Sequence, residues 1–326
     1  MRSGWLVLAI QMTRNANTLS ALWMMLSMLG FTVNDAMMKL LFQDIPVLQS
    51  IFLRGLLMAP MLMLALFWWR PVWAGLLRRD FMLAGLRAFA EVGGTLCFLT
   101  GLSRIPLANA SAILQSLPLT MTVAAALVLG EQVGWRRWMA VIAGFFGVMV
   151  IIRPGSDGFD IYSLYILAAV GFVTLRDLVT RRLSTQMPSL LVALMTTIAV
   201  VGTSGLLMQD FLGLGMFSPP PVVLGAIDSS GWLLLVGASL ALCGGYLFAV
   251  LTMRVGEVSF VSPFRYSALI WAISLGVLVF GEWPDLMTIA GIVIITASGL
   301  YTFQRERLRA TEDASKESAR HQQPSV

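Results

Sequence analysis

The chain has 326 residues, of which 58% are apolar and 12% charged, whereas soluble domains carry about 25% charged residues. So few charges cannot cover a water-soluble fold of this length. Both cysteines, Cys97 and Cys243, lie in apolar runs and exclude a disulfide scaffold. The single histidine, His321, lies in a polar stretch, which leaves no His-ligated metal centre and no His-based triad within the apolar part. The class that remains is a polytopic membrane protein. Its net charge of +5 is spread between hydrophobic runs, the pattern of basic cytoplasmic loops and not of a nucleic-acid partner. Near the start, the apolar stretch Trp5 to Ile10 is too short for a secretory leader and lacks a small-residue cleavage pattern, so no removal is expected.

A helix needs about 20 apolar residues to cross a hydrocarbon core of about 30 Å. Ten runs meet that length in chain order: 19–41, 47–69, 81–102, 107–129, 136–152, 161–180, 188–208, 231–251, 259–280 and 286–303. The fifth is the weakest, opened by Arg136 and Arg137 and diluted by Gly144 and Gly147. With the N-terminus placed in the cytoplasm, the inner segments hold Arg2, Arg14, Arg70, Arg78, Arg79, Arg136, Arg137, Arg181, Arg182, Arg254 and the basic stretch from Arg305. The outer loops hold Arg104 and Arg153, with Lys39 near the outer end of span 1, and segment 209–230 carries Asp210 and Asp228 without a Lys or Arg. The positive-inside rule therefore predicts two cytoplasmic termini. Residues 304–326 turn polar and are expected to be a solvated, mostly disordered tail.

The two halves echo each other. Gly93-Gly94, Ser111 and Gly130-Glu131 recur 151 residues later as Gly244-Gly245, Ser262 and Gly281-Glu282. Gly30-Phe31 recurs 141 residues later as Gly171-Phe172. Five spans per copy is an odd number, so the second copy is expected to lie inverted. The charges agree, since Arg136 and Arg137 follow the first Gly-Glu and none follows the second. Inverted repeats are an architecture of secondary transporters, with a substrate site near the midplane between the halves.

The Gly-Glu pairs at 130–131 and 281–282 carry a family resemblance. So do the small residues Ala140, Gly291, Gly147 and Ser298, the segment Gly130 to Trp138, and Asn34-Asp35. In these the chain resembles a tandem EamA-type protein of the drug/metabolite transporter superfamily over residues 18–303, departing from it at Ala140, where glycine is usual. The resemblance implies an all-α membrane protein of ten helices in two inverted five-helix repeats, with a cavity lined by spans 1, 3, 4, 6, 8 and 9. The corresponding segments are 1–18 (cytoplasmic), 19–153 (first repeat), 154–303 (second repeat) and 304–326 (cytoplasmic tail). It also implies the inner membrane of a bacterium and a small-molecule substrate, with riboflavin-like vitamins, S-adenosylmethionine and amino acids among the candidates. It implies no cofactor, and a homodimer stays open.

Seven ionisable residues lie well inside spans: Asp35, Arg54, Arg87, Glu91, Arg176, Asp177 and Arg265. Each arginine at mid-helix costs about 2.5–3.5 kcal/mol on insertion scales, so these need a partner, a wet cavity or the headgroup region. Arg87 and Glu91 share one face of span 3 and can pair locally, as a fixed strut or as a coupling site. Asp35 and Lys39 have the same spacing on span 1, with anchoring the simpler role. Arg176 and Asp177, being adjacent, are expected to point apart, with Arg176 snorkelling. Arg54 and Arg265 have no acid on their own helix. Arg265, beside Tyr266 and after Ser262-Pro263, is the prime candidate for a substrate contact, and its alternative role is as an interhelical partner of Glu91 or Asp35. On span 4, Gln115 is read as pathway lining, with interhelical bonding the alternative. Tyr246 is the aromatic candidate for stacking on a flat ligand, although packing accounts for most aromatics here. The methionines Met58, Met61 and Met63 read as adaptable packing, not a metal site.

No Gly-x-x-x-x-Gly-Lys-Ser/Thr run occurs, so an ion or substrate gradient is expected to drive transport. Glu91, Asp35 and Asp177 are the candidate carriers of a coupled proton. The arginine excess favours a carboxylate, phosphate or carbonyl-rich substrate, with uptake of a flat vitamin such as riboflavin ranked first. Export of a metabolite or drug, and a non-transporting scaffold or sensor, are the alternatives. An intramembrane enzyme would need a Ser-His or paired-Asp constellation that the spans lack.

Overall fold

The computed structural model describes residues 2–69, 78–131, 133–155, 159–183, 187–208, 224, 227–255 and 258–321. For 2–16, 69, 189, 253–255, 258–259, 306–307 and 309–321 it describes backbone alone. Arg70, Trp73, most of segment 209–230 and the side chains of Arg2, Arg14, Arg254 and His321 fall outside this set. Among the described residues the secondary structure is helical, without a strand.

The helices are α1 (Arg2–Leu41), α2 (Val47–Trp69), α3 (Arg78–Leu102), α4 (Leu107–Leu114), α5 (Leu117–Val128), α6 (Trp135–Ile152) and α7 (Tyr162–Thr180). They continue as α8 (Ser189–Met208), α9 (Ser229–Val255), α10 (Val258–Val261), α11 (Ser267–Phe280) and α12 (Leu286–His321). A 3₁₀ turn, Ser262–Tyr266, joins α10 to α11. Among the described residues ten segments are long and apolar enough to cross a membrane, and they fall where the hydrophobic runs lie. Spans 1 to 3 are α1 to α3, span 4 is α4 with α5, and spans 5 to 8 are α6 to α9. Span 9 is the 3₁₀ turn with α11, and span 10 is the apolar part of α12.

Three features depart from the sequence expectation. Helix α12 runs on to His321 where a disordered tail was expected, because no Gly or Pro interrupts the chain between Leu300 and Gln323. Helix α1 likewise extends beyond its hydrophobic run, beginning at Arg2 where span 1 was expected to start near residue 19. Span 4 is not one helix. Pro118 has no N–H, so the Leu114 carbonyl loses its usual donor. The chain turns there through 3.2 Å and 3.0 Å bonds from Gln115 N to Ala112 O and from Ser116 N to Ile113 O.

Loops after odd-numbered spans share one end of the bundle, the odd-loop end; loops after even-numbered spans share the other. Of the twelve largest fully buried side chains, all but Leu119 and Ile295 lie within two turns of the odd-loop end, so the bundle is packed shut there. Carboxylates cap the helices that start at this end: Asp160 accepts from Tyr162 N, Asp228 from Gly231 N and Asp285 from Thr288 N, each at 2.8 Å. Arg153 also bonds Asp285. Together with the Thr288 N–H it holds that carboxyl down to about 2, so the clamp stays charged at physiological pH.

The principal contacts pair span 1 with 8, 3 with 6, 5 with 10 and 2 with 7. Spans 1 with 9, 4 with 6, 3 with 7, 4 with 9 and 2 with 8 also touch. Exchanging each span for the one five places away maps these nine pairings onto themselves, whereas the smaller contacts of span 1 with 3 and of span 4 with 10 have no counterpart of like size. The recurring glycines sit at the seams. A Cβ on Gly245 would lie 2.7 Å from the Phe31 ring, and one on Gly93 would lie 2.6 Å from the Phe172 ring. In the seam of spans 5 and 10, a Cβ on Gly291 would meet Gly147 O at 2.8 Å. The Gly-Glu pairs end spans 4 and 9 in the same turn. Gly130 (φ 69°) and Gly281 (φ 66°) are left-handed. Glu131 N bonds Ala125 O (3.2 Å) and Glu282 N bonds Gly276 O (2.9 Å), so each helix end is closed by a bond to the carbonyl six residues back, just past a left-handed glycine.

Gly30 and Gly171 occupy corresponding positions with opposite surroundings. A Cβ on Gly30 would lie 2.8 Å from Ala241 O, which cannot yield, whereas nothing lies within 4 Å of one on Gly171. Thermal unfolding in detergent should show Gly30→Ala destabilised by about 1–3 kcal/mol. Gly171→Ala should be unchanged or more stable by up to about 1 kcal/mol.

Candidate functional site

The seven ionisable residues of the spans converge from five helices, with Gln115 and Tyr246 beside them. On spans 1 and 2, Arg54 donates from NH1 to Asn34 Oδ1 (3.2 Å), and Asn34 donates from Nδ2 to Asp35 Oδ1 (2.9 Å). Asn34 thus relays between a buried guanidinium and a carboxylate. Arg54 Nε is buried without a partner.

On spans 3 and 6 the pairing differs from the one the spacing suggests. Glu91 is 3.2 Å from Arg176 NH1 and 4.0 Å from Arg87 NH2, so its closer partner comes from another helix. Arg87 instead donates from Nε to Thr180 Oγ1 at 3.0 Å. Arg176 and Asp177 do not point apart: Arg176 Nε donates to Asp177 Oδ1 at 2.8 Å. Arg176 therefore turns into the bundle and bridges two carboxylates, and does not snorkel.

The Asp35–Lys39 pair does not form. Lys39 Nζ bonds Glu282 Oε1 (2.6 Å) and the Ile105 carbonyl (2.7 Å), and lies 5.1 Å from the centre of the Phe280 ring. Glu282 Oε2 accepts from Leu107 N (2.9 Å) at the start of α4. A carboxylate fixed by a helix N-terminus draws the ammonium away from Asp35. This knot ties span 1, the loop between spans 3 and 4, and the turn after span 9 at the odd-loop end. Its components were legible as a motif, but not the pairing across 243 residues.

Gln115 does not simply line a path, for its Nε2 donates to the Arg265 carbonyl at 2.8 Å. The two broken spans, 4 and 9, are thus joined at their breaks. Thr120 and Thr174 hydroxyls bond at 2.6 Å nearby and join spans 4 and 6. The Arg265 guanidinium pairs with neither Glu91 nor Asp35. Among the described residues it has no hydrogen-bond or ion-pair partner, although it lies within the field of Asp177 and Arg176. Tyr266 is buried, with its hydroxyl against Gly299 of span 10 and without a partner. Tyr246 is half-exposed, packs edge-on to Phe31 (centroids 5.2 Å apart, 78° between planes) and feels the charges of Glu91, Arg176, Arg87 and Arg54.

A cavity of about 130 Å³ is lined by Glu91, Gly94, Thr95, Phe98, Leu114 and Val173 of spans 3, 4 and 6. That is room for about four waters at liquid density, and less than the 300–1,000 Å³ or so of a metabolite pocket.

Residues 18–153 match the model of the EamA-like transporter family. A riboflavin transporter of Vibrio cholerae is 29% identical over 230 residues, which cover 70% of this chain and 73% of the relative. An S-adenosylmethionine uptake transporter of Rickettsia prowazekii is 25% identical over 290 residues, 87% of this chain and 92% of the relative. A pseudopaline exporter of Pseudomonas aeruginosa is 24% identical, covering 82% of this chain and 90% of the relative. A solved crystal structure 18% identical to the chain, covering 87% of it and 98% of the other, shares the fold with a TM-score of 0.58. With an EamA-like transporter domain over residues 18–153 and similarity to small-metabolite transporters over most of its length, the chain is a multi-pass inner-membrane protein that moves a small metabolite and is not an enzyme.

Asn34→Leu would leave the buried Arg54 guanidinium without a hydrogen bond and should cost about 1–3 kcal/mol. Adding Arg54→Met should restore part of that loss, because the stranded charge is then gone. Additive destabilisation of the double variant in thermal melts would show that Asn34 does not serve Arg54.

Proposed function

We propose that the chain is a secondary transporter that takes up a small metabolite by alternating access, using two inverted repeats, 19–153 and 154–303. The nine span pairings that survive exchange of spans five apart support this, as do the matching left-handed glycine turns. The arginine-rich even-loop end is assigned to the cytoplasm with both termini, following the positive-inside rule.

The observation that carries the substrate reading is Arg265. Three of the four arginines within the spans have a hydrogen-bonding side chain close by, and the Arg265 guanidinium has none among the described residues. A carboxylate, phosphate or carbonyl oxygen of the substrate completes it, and Tyr246 with Phe31 offers a ring edge and face to a flat group. Riboflavin, a flat ring with carbonyl oxygens, is ranked first, followed by S-adenosylmethionine and amino acids. Glu91, held by Arg176 at both oxygens and by Arg87 more loosely, is the candidate for a coupled proton, ahead of Asp35 and Asp177. Export is the second reading, favoured by the similarity to the pseudopaline exporter.

The test is uptake and counterflow of these compounds in proteoliposomes, beside ligand-induced thermal stabilisation. Arg265→Gln should weaken substrate affinity by about 10- to 100-fold, the loss of a charged hydrogen bond, while keeping the wild-type melting temperature without ligand. Unaltered transport in both Arg265→Gln and Glu91→Gln would overturn the assignment.

A further inference from the structure

Glu282 and Glu131 stand at corresponding positions in two identical backbone turns, yet their side chains are in opposite states. Glu282 is used twice, by Lys39 Nζ and by Leu107 N at the start of α4. Glu131 is exposed, and among the described residues its carboxylate has no partner. The surroundings correspond as well. Helix α10 begins at Val258, 151 residues after Leu107, the offset that also relates the two glutamates. The position matching Lys39 at the end of span 6 is Thr180, followed directly by Arg181, an exposed cation that is likewise without a side-chain partner among the described residues. The large fully buried side chains crowd towards the Glu282 end.

From this we infer that Glu282 with Lys39, and Glu131 with Arg181, are the two gate pairs of the transport cycle. The first pair closes the odd-loop end in the conformation seen here, and the second closes the even-loop end when the first opens. The inference rests on the alternating-access reading and adds to it the residues that hold each closed state. The chemistry is the same at both ends. A left-handed glycine turn presents a glutamate whose charge is neutralised by a cation at the end of the first span of the opposite repeat. Making one pair requires breaking the other, because each draws the end of a broken span against a neighbouring helix. Partly buried ion pairs that exist in one state alone are suited to bias such an equilibrium.

The test is cross-linking in membranes of a protein in which Cys97 and Cys243 are replaced by alanine and Glu131→Cys is combined with Arg181→Cys, using a short bifunctional thiol reagent. With Lys39 present the yield should be low. Adding Lys39→Gln, which unties the odd-loop end, should raise it by about 5-fold or more, the shift expected for a coupling of typical size. Glu282→Gln, which keeps an acceptor for Leu107 N, should do the same and serves if Lys39→Gln fails to fold. Equal yields in the parent and in whichever of these variants folds would overturn the gate assignment. The measurement needs no substrate, so it separates from the transport reading. A rise in yield without transport of any tested metabolite faults the substrate reading alone. Transport with a constant yield faults the gates alone.

Discussion

The hydrogen bond from the Gln115 amide to the Arg265 carbonyl is the joint around which this bundle is arranged. In lipid every backbone polar group must find a partner within the protein. Spans 4 and 9 both violate that rule locally, since Pro118 deprives the Leu114 carbonyl of a donor and Pro263 does the same one turn before Arg265. Broken helices are tolerable where they meet each other or a cavity. These two meet each other, at positions related by the repeat: Gln115 plus 151 is Tyr266, next to Arg265. The only long polar side chain at one break serves the backbone of the other. The result is a polar centre shared by both halves, with the Arg265 side chain left over for something else.

The ionisable residues obey the same economy. Each of Arg54, Arg87 and Arg176 has a partner on another helix: Asn34, Thr180 and Glu91. Breaking a buried pair typically costs more than forming it gains, so these bonds fix which helices stay together. Spans 1 and 2 are tied by Asn34 and Arg54, and spans 3 and 6 by Glu91 and Arg176. Lys39 and Glu282 join the end of span 1 to the turn after span 9 through a pair about as buried as that of Glu91 and Arg176.

Much of this was legible in the sequence. Hydrophobic run length placed the spans, because a bilayer imposes one length on every helix that crosses it. The glycine repeats marked the helix seams, since close approach is the reason for a glycine at Gly93 or Gly245. The partners of the charges were not legible. Spacing along one helix suggested Arg87 with Glu91, which pair at 4.0 Å but more loosely than Glu91 with Arg176 of the neighbouring span, and Asp35 with Lys39, which do not pair because Glu282, fixed at a helix N-terminus across the bundle, competes better than the residue one turn away. The break at Gln115 was signalled by Pro118, whereas its link to Arg265 needed the crossing of spans 4 and 9. The extension of α12 to His321 shows the reverse error, in which polar composition was read as disorder although helix-forming residues carried the helix on.

The central claim is that the polar centre opens to one end at a time and is now shut at the odd-loop end. Thr95 lines the cavity beside Glu91, and a cysteine there, in a protein otherwise free of cysteine, reports which end reaches it. Sealed vesicles of known orientation would be treated with a membrane-impermeant thiol reagent from each side in turn. The account predicts reaction from the even-loop side and little from the other, with the preference reversed when Lys39→Gln unties the knot. Equal reaction from both sides, unchanged by Lys39→Gln, would describe an open pore or a static scaffold and would contradict it.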